Sequence, residues 1–283
     1  MPPHQLHSTP GPGTVVRATP ESVGWTSLDF AVIELEAGRT TELATGRREV
    51  AIVPLEGTVD LRVDGERHVL RRAGVFAEMP HVLYVPPGRT VRVKAEGRAE
   101  IAVGGAEVDG RYPVRLIAPT EMRSEVRGGG GATRQVNHIL AHPLPAERLI
   151  LYEVYVPRGG WSGWPPHCHD GWEGSPYLEE TYYFRLQPAD GWAIHRNYRV
   201  DSDFDEVFAV RDRDVVCVTK GFHSSAAAPG SHMYFLNYLA GDLRDEERAI
   251  GPFFQPEYRW IDGNWDVDAM TLPAVAPEAT SRG

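Results

Sequence analysis

The stretch WPPHCHDGWEGSPYLEETYYFR, from Trp164 to Arg185, carries two histidines flanking one cysteine, then paired glutamates ahead of an aromatic run. His167 and His169 lie two apart. On a strand, residues i and i+2 share a face and i+1 points away, so the two imidazoles converge and Cys168 turns to the other side. Pro165-Pro166 stiffens the entry and lowers the entropy lost in aiming the pair. Such a pair is half of a metal site, because a catalytic divalent metal takes three or four N/O ligands and keeps one position open.

The rest of the set is available downstream. Glu180 opens the strand-like ETYYFR, and His223 follows a turn glycine in VTKGFHSS. His-x-His, a glutamate on the next strand, and a lone histidine after a glycine turn is the ligand order of the cupin fold. Cupins usually place the glutamate a few residues after the pair, which Glu173 satisfies, whereas Glu180 follows ten intervening residues. Glu180 is preferred because DGWEGSPY consists of turn formers and reads as an inserted loop. Glu179 would point the other way. Three histidines and one carboxylate suit Zn, Mn, Fe, Ni or Co, with zinc placed first. An isolated His-x-His is more often a pair of hydrogen-bonded surface residues, and the ordered set is what favours the metal. His4, His7, His68, His81, His138, His142, His195 and His232 lack such company. His232, at the start of a strand, is the nearest rival and reads as a surface residue. Cys168 and Cys217 lack a CxxC partner and read as small packing residues.

These residues must be held by strands, because helical periodicity is scarce. Short apolar or alternating runs closed by Gly, Pro, Asp or Asn recur every 8–12 residues or so, as in AVIELEAG (31–38), VAIVPLEG (50–57) and HVLYVPPG (81–88). This rhythm predicts an all-β sandwich or barrel. RVDGERHV (62–69) predicts a hairpin turning at Asp64-Gly65. GDLRDEERAI (241–250) is the segment that reads as a short helical turn.

At 283 residues the chain suits two domains. Four consecutive glycines, Gly128 to Gly131, cannot sit inside a strand and mark the expected division, giving domains 1–127 and 128–283. A weak internal repeat links the two halves. The first half has no His-x-His, and GRTVR stands where the second has GFHSS, so one metal site per chain is expected, in the C-terminal half. The N-terminus reads as a flexible lead-in without signal-peptide character, and LPAVAPEATSRG (272–283) as a loose tail.

With 42% apolar and 24% charged residues and a net charge of −10, the chain reads as a soluble globular protein. It has no basic stripe for nucleic acid or an anionic membrane and no apolar run of the ~20 residues that span a bilayer. Two cysteines fit a cytoplasmic setting without disulfides.

PPHCHD, LEETYYFR, EVRGGGGATRQV and the long run from Asp205 to Gly241 resemble the 5-deoxy-glucuronate isomerase family of inositol catabolism, related to the isomerase of 5-keto-4-deoxyuronate. The resemblance covers nearly the whole chain and is strongest from about 125 to 265. It implies a bicupin, two double-stranded β-helix (jelly-roll) barrels with the metal in the second, held by His167, His169, Glu180 and His223. Cys168 stands where the motif is often basic, and Thr219-Lys220 where the family tends to have Pro-Arg. The implied reaction is an aldose–ketose isomerisation of 5-deoxy-glucuronate to 5-dehydro-2-deoxy-gluconate. It calls for a Lewis acid on the carbonyl and a group moving a proton between C2 and C1. Glu180 and Tyr182, which share strand parity, are the candidate catalytic residues. Arg185, Arg134 and Lys220 are the candidate cations for the substrate carboxylate, although Arg185 has the opposite parity. The alternatives are an iron-dependent cupin dioxygenase and a non-catalytic sugar-acid-binding cupin. Exposed β-edges make a homo-oligomer plausible.

Overall fold

The computed structural model describes residues 3–265; the tail expected from Leu272 onward lies outside the described residues. Among the described residues the architecture is strand throughout, with one four-residue α-helix, Pro20–Val23, and short 3-10 turns. The segment 241–250 contains one of these turns, Asp245–Ala249.

In the first half, one sheet runs in the order Arg115–Ile117, Val82–Val85, Arg48–Val63, Ala99–Glu107, Leu28–Leu35, Gly13–Ala18. The long strand Arg48–Val63 shifts register at Pro54, a residue confined to edges and bulges because it lacks the N–H. It then continues into a second layer with Glu66–Arg72 and Thr90–Ala95. The hairpin at Asp64-Gly65 forms as the sequence predicts, with both residues at positive φ (51° and 83°), as a two-residue primed turn requires. Ile52, Leu61, Leu83, Val91 and Ile101 fill the space between these layers, an apolar interior with no group of metal-binding side chains among the described residues.

In the second half, a seven-stranded sheet has Leu178–Gln187 and His232–Gly241 near its centre and Arg123–Arg127 at one edge. A five-stranded sheet, built on Trp161–Cys168, Phe222–Ala227 and Ala193–Tyr198, faces it. Tyr182, Phe184 and Phe235 from the first pack with Ala193, Val210 and Ala227. The glycine run turns the hairpin that joins Arg123–Arg127 to Arg134–His138. One expectation changes here. The N-terminus is not a free lead-in, because Gln5–Leu6 pairs with Val215–Val216 and His4 bonds Glu206 at 2.7 Å.

A further core cluster holds Phe30, Ala51 and Tyr84 from the first half together with Tyr183, Tyr234 and Tyr238 from the second. Gly104 permits this closeness, since a Cβ there would lie 2.4 Å from the Tyr238 ring. Two buried carboxylates pin the halves in matching ways. Glu49 accepts from the backbone N–H groups of Glu147, Arg148 and Leu149 and from the Tyr84 hydroxyl. Glu179 accepts from the backbone N–H groups of Thr26, Ser27 and Leu28 and from the Thr26 hydroxyl. Each is the second residue of its strand, so the weak repeat in the letters is stronger in the contacts.

Candidate active site

Strand pairing brings the histidines together. His167 lies directly opposite His223, and His223 opposite Asn197. His169 follows the end of the same strand as His167. Donor atoms of His167, His169 and His223 all lie within 4.8 Å of one another. Close approach of the two strands depends on Gly163, at φ +74°, where a Cβ would sit 2.7 Å from the His223 carbonyl oxygen. Glu180 reaches this group from the opposing sheet: its Oε2 is 2.9 Å from His169 Nε2 and 3.3 Å from His223 Nε2.

The ring orientations are fixed from behind. His169 Nδ1 meets the Leu178 carbonyl at 2.8 Å, which turns Nε2 inward. Asp170 accepts from the Gly221 backbone N–H at 2.8 Å and pairs with Arg199, tying the first histidine loop to the turn that presents His223. His195 stacks at 6.3 Å behind His223 and is held by Ser225 and Asn197, each at 2.8 Å.

Electrostatics follow from burial and the single carboxylate. Burial pushes His167 well below the ordinary imidazole range, helped by its two imidazole neighbours. Burial also brings His195 down to about 3. His169 moves the other way: burial opposes its charged form, but the Glu180 hydrogen bond and charge outweigh it. Burial would raise Glu180, yet the His169 hydrogen bond and the close approach of His223 hold it far below the usual carboxylate range. Burial and Glu180 lift the Tyr182 phenol well above its ordinary value. His223 Nε2 is fully buried and has no hydrogen-bond partner, although a lone buried polar atom is costly. Three converging imidazoles, one of them unsatisfied, and an ionised carboxylate are a donor set that fits a divalent metal ion.

A cavity of about 290 Å³ opens at this group, lined by His167, His169, Glu180, Tyr182 and Arg134. Burial lowers the Arg134 guanidinium to about 10; it donates to the Ala132 and Trp164 carbonyls. The structure does not bring Arg185 or Lys220 here. Arg185 has the wrong strand parity and pairs with Glu100 and Asp212 between the halves. Lys220 is exposed, with its ammonium 4.4 Å from the Phe204 ring centroid. Glu173 is exposed in a turn, and His232 is exposed at its strand start. Cys168 is buried on the far side from the histidines, its thiol pushed up to about 12 by burial. The sequence reading passed over His138, Tyr152, Asn237 and Arg123, which line the same cavity, and Asp170 and His195 behind the histidines. His138 could have been found from its parity with Arg134 in RQVNH. Tyr152 and Asn237 sit in apolar runs without a local signal.

The chain matches the model of the KduI/IolB family over residues 2–261. It is 41% identical over 243 residues to the 5-deoxy-glucuronate isomerase of Geobacillus kaustophilus, covering 84% of this chain and 88% of that one. It is 30% identical to the enzyme of the same name from Bacillus subtilis strain 168, covering 83% and 88%. The crystal structure of an IolB-like protein from Salmonella typhimurium superposes with a TM-score of 0.87 at 35% identity, covering 92% of this chain and 99% of that one. Bacillus subtilis oxalate decarboxylase superposes at 0.61 with 13% identity, over 90% and 80%, a likeness of fold alone. Among the described residues no helix is long and apolar enough to cross a membrane. The match to the family model spans almost the whole described chain, and the chain belongs to the KduI/IolB family.

Proposed function

We propose that this protein is a 5-deoxy-glucuronate isomerase, a metal-dependent aldose–ketose isomerase that forms 5-dehydro-2-deoxy-gluconate in cytoplasmic inositol catabolism. A relative 41% identical to it carries that enzyme name. The observation that carries the chemistry is the buried His223 Nε2, without a hydrogen bond, beside two converging imidazoles and Glu180. In this reading the fold is a bicupin of two jelly-roll barrels, 1–127 and 128–283, with Gln5–Leu6 and Arg123–Arg127 lent to the second.

His167, His169, Glu180 and His223 would hold the metal, with zinc first and Mn, Fe, Ni or Co as alternatives. When bound it supplies a Lewis acid to the substrate's carbonyl and adjacent hydroxyl oxygens. The chain's own groups do the rest. Tyr182 keeps its proton at working pH, so its Oη donates to a substrate oxygen. Glu180 is ionised and its contacts with His169 and His223 run through Oε2, which leaves Oε1 to accept the C2 proton and return it to C1. Arg134 lies close enough to His167 and Tyr182 to act on both electrostatically, and it faces negative charge building at the reacting end. Apolar neighbours, Phe184 and Phe235 beside Tyr182, keep water from that end.

Proton NMR of 5-deoxy-glucuronate in D2O, with metal-loaded and chelated protein side by side, tests the reading. Loss of the aldehyde signal with a ketone appearing only in the loaded sample, and deuterium at C1, is the expected result. An unchanged spectrum with metal shown to be bound would overturn the substrate, and oxygen uptake would then favour the dioxygenase.

A further inference from the structure

Four strand pairings set five side chains in one transverse row. Tyr182 lies opposite Asn237, Asn237 opposite Tyr152, Tyr152 opposite His138, and His138 opposite Arg123. Directly opposed residues share a face of the sheet, and all five line the cavity that holds Glu180 and the histidines. The next row on that face is Phe184, Phe235, Val154 and Val136, with Glu125 at the sheet edge. On the other side Leu239 and Ile150 continue the row that Glu180 begins at the histidine end. A polar row, flanked along its middle by apolar side chains, leads from the histidines to the sheet edge.

That edge carries surplus positive charge. Glu125 meets Arg127 and His138 at 2.6 and 2.7 Å and Arg123 at 3.3 Å. Burial and the two arginines hold His138 below the ordinary imidazole range, so it is neutral at pH 7. Two guanidinium groups against one carboxylate leave one cation unmatched. Arg123 is the one that also touches the row, with Nη2 2.8 Å from His138 Nε2, and its side chain remains 63% exposed.

We propose that this row seats the remote part of the substrate: the carboxylate on Arg123 at the His138 edge, the chain hydroxyls over Tyr152 and Asn237, and the carbonyl end at Tyr182 and Glu180. The proposal deepens the sugar-acid reading and rests on it.

The test is calorimetric binding of D-gluconate and D-sorbitol, the same acyclic chain with and without a carboxylate, to the full-length zinc-loaded protein. The wild type is expected to bind gluconate roughly 10- to 100-fold more tightly than sorbitol, the range of one charge-assisted contact. Arg123→Gln should bring that ratio to within about 3-fold, because an amide keeps hydrogen bonding but not the charge, with sorbitol binding unchanged. Arg123→Lys should keep part of the ratio. Tyr152→Phe should weaken both ligands alike. A wild-type ratio near one, or a ratio untouched by Arg123→Gln, overturns the proposal; the latter would mean the carboxylate sits among the histidines. Wild-type turnover of 5-deoxy-glucuronate, assayed beside it, decides the sugar-acid reading independently, since the binding ratios do not require turnover.

Discussion

Glu179 and Glu180 are neighbours in the chain and face opposite sides of one strand. Glu180 Oε2 stands 2.9 Å from His169 Nε2 inside the second half, while Glu179 caps the backbone of Thr26, Ser27 and Leu28 in the first. Both are buried, so burial does not separate their roles, but their partners do. Glu180→Gln should lose metal content and activity while the melting temperature of the chelated protein stays within a few degrees. Glu179→Gln should leave metal stoichiometry intact and lower stability by about 3 kcal/mol, because donors paired to a buried carboxylate lose an acceptor. Metal analysis and urea unfolding of both variants check this, and the reverse pattern would exchange the two assignments.

Asp170 shows how a residue without direct contact with the cavity can govern it. Its carboxylate holds the Gly221 N–H and the Arg199 guanidinium, and Gly221 begins the turn into His223. Such outer partners typically tune metal affinity by 10- to 100-fold. Asp170→Asn should therefore weaken zinc binding by roughly 10-fold or more, with the change seen in a competitive chelator titration. Affinity equal to the wild type would mean that the turn is held by its backbone alone.

The all-β class and the convergence of His167, His169, Glu180 and His223 were readable from the letters because both rest on local periodicity. Alternation fixes which side chains share a face, and a glycine turn announces the lone histidine. Arg185 shows the limit of that reading. Its parity already argued against it, and in the fold it faces Glu100 across the junction of the halves. The row from Tyr182 to Arg123 was not readable, because it depends on the register of four strand pairs, one of which joins Tyr152 to Asn237 across 85 residues of sequence. The same holds for Gln5–Leu6, since a two-residue strand that pairs with Val215–Val216 is too short to show a period in the sequence.

His138 makes stability depend on pH. Its folded value lies below that of an exposed imidazole because of burial, opposed by the Glu125 hydrogen bond and reinforced by Arg123 and Arg127; Tyr152 packs on the ring at 5.0 Å. Below about pH 6.5 the unfolded chain takes up a proton here that the folded chain refuses. Stability from this group is thus full above that pH and falls as the pH drops. Glu125, held low by its partners, acts in a more acid window, its contribution lost as the pH falls below the ordinary carboxylate range. His138→Asn should flatten the loss of urea-unfolding stability between pH 7 and 5.5. A wild-type and variant slope that coincide would remove His138 as its source.

Arg72 and Glu153 form a fully buried ion pair at 2.7 Å between the halves, with the Tyr234 hydroxyl donating to the same carboxylate oxygen at 2.7 Å. Tyr155 adds to the network by accepting from Arg72 and donating to the Val75 carbonyl. Removing one partner of a buried pair strands the other charge, at about 3–5 kcal/mol. Glu153→Gln should cost that much and Arg72→Met a comparable amount, whereas Arg72→Met with Glu153→Leu should recover most of it, because two apolar groups of similar size leave no stranded charge. A double variant as unstable as the sum of the singles would show that the network's tyrosines, not the ion pair, hold the two halves together.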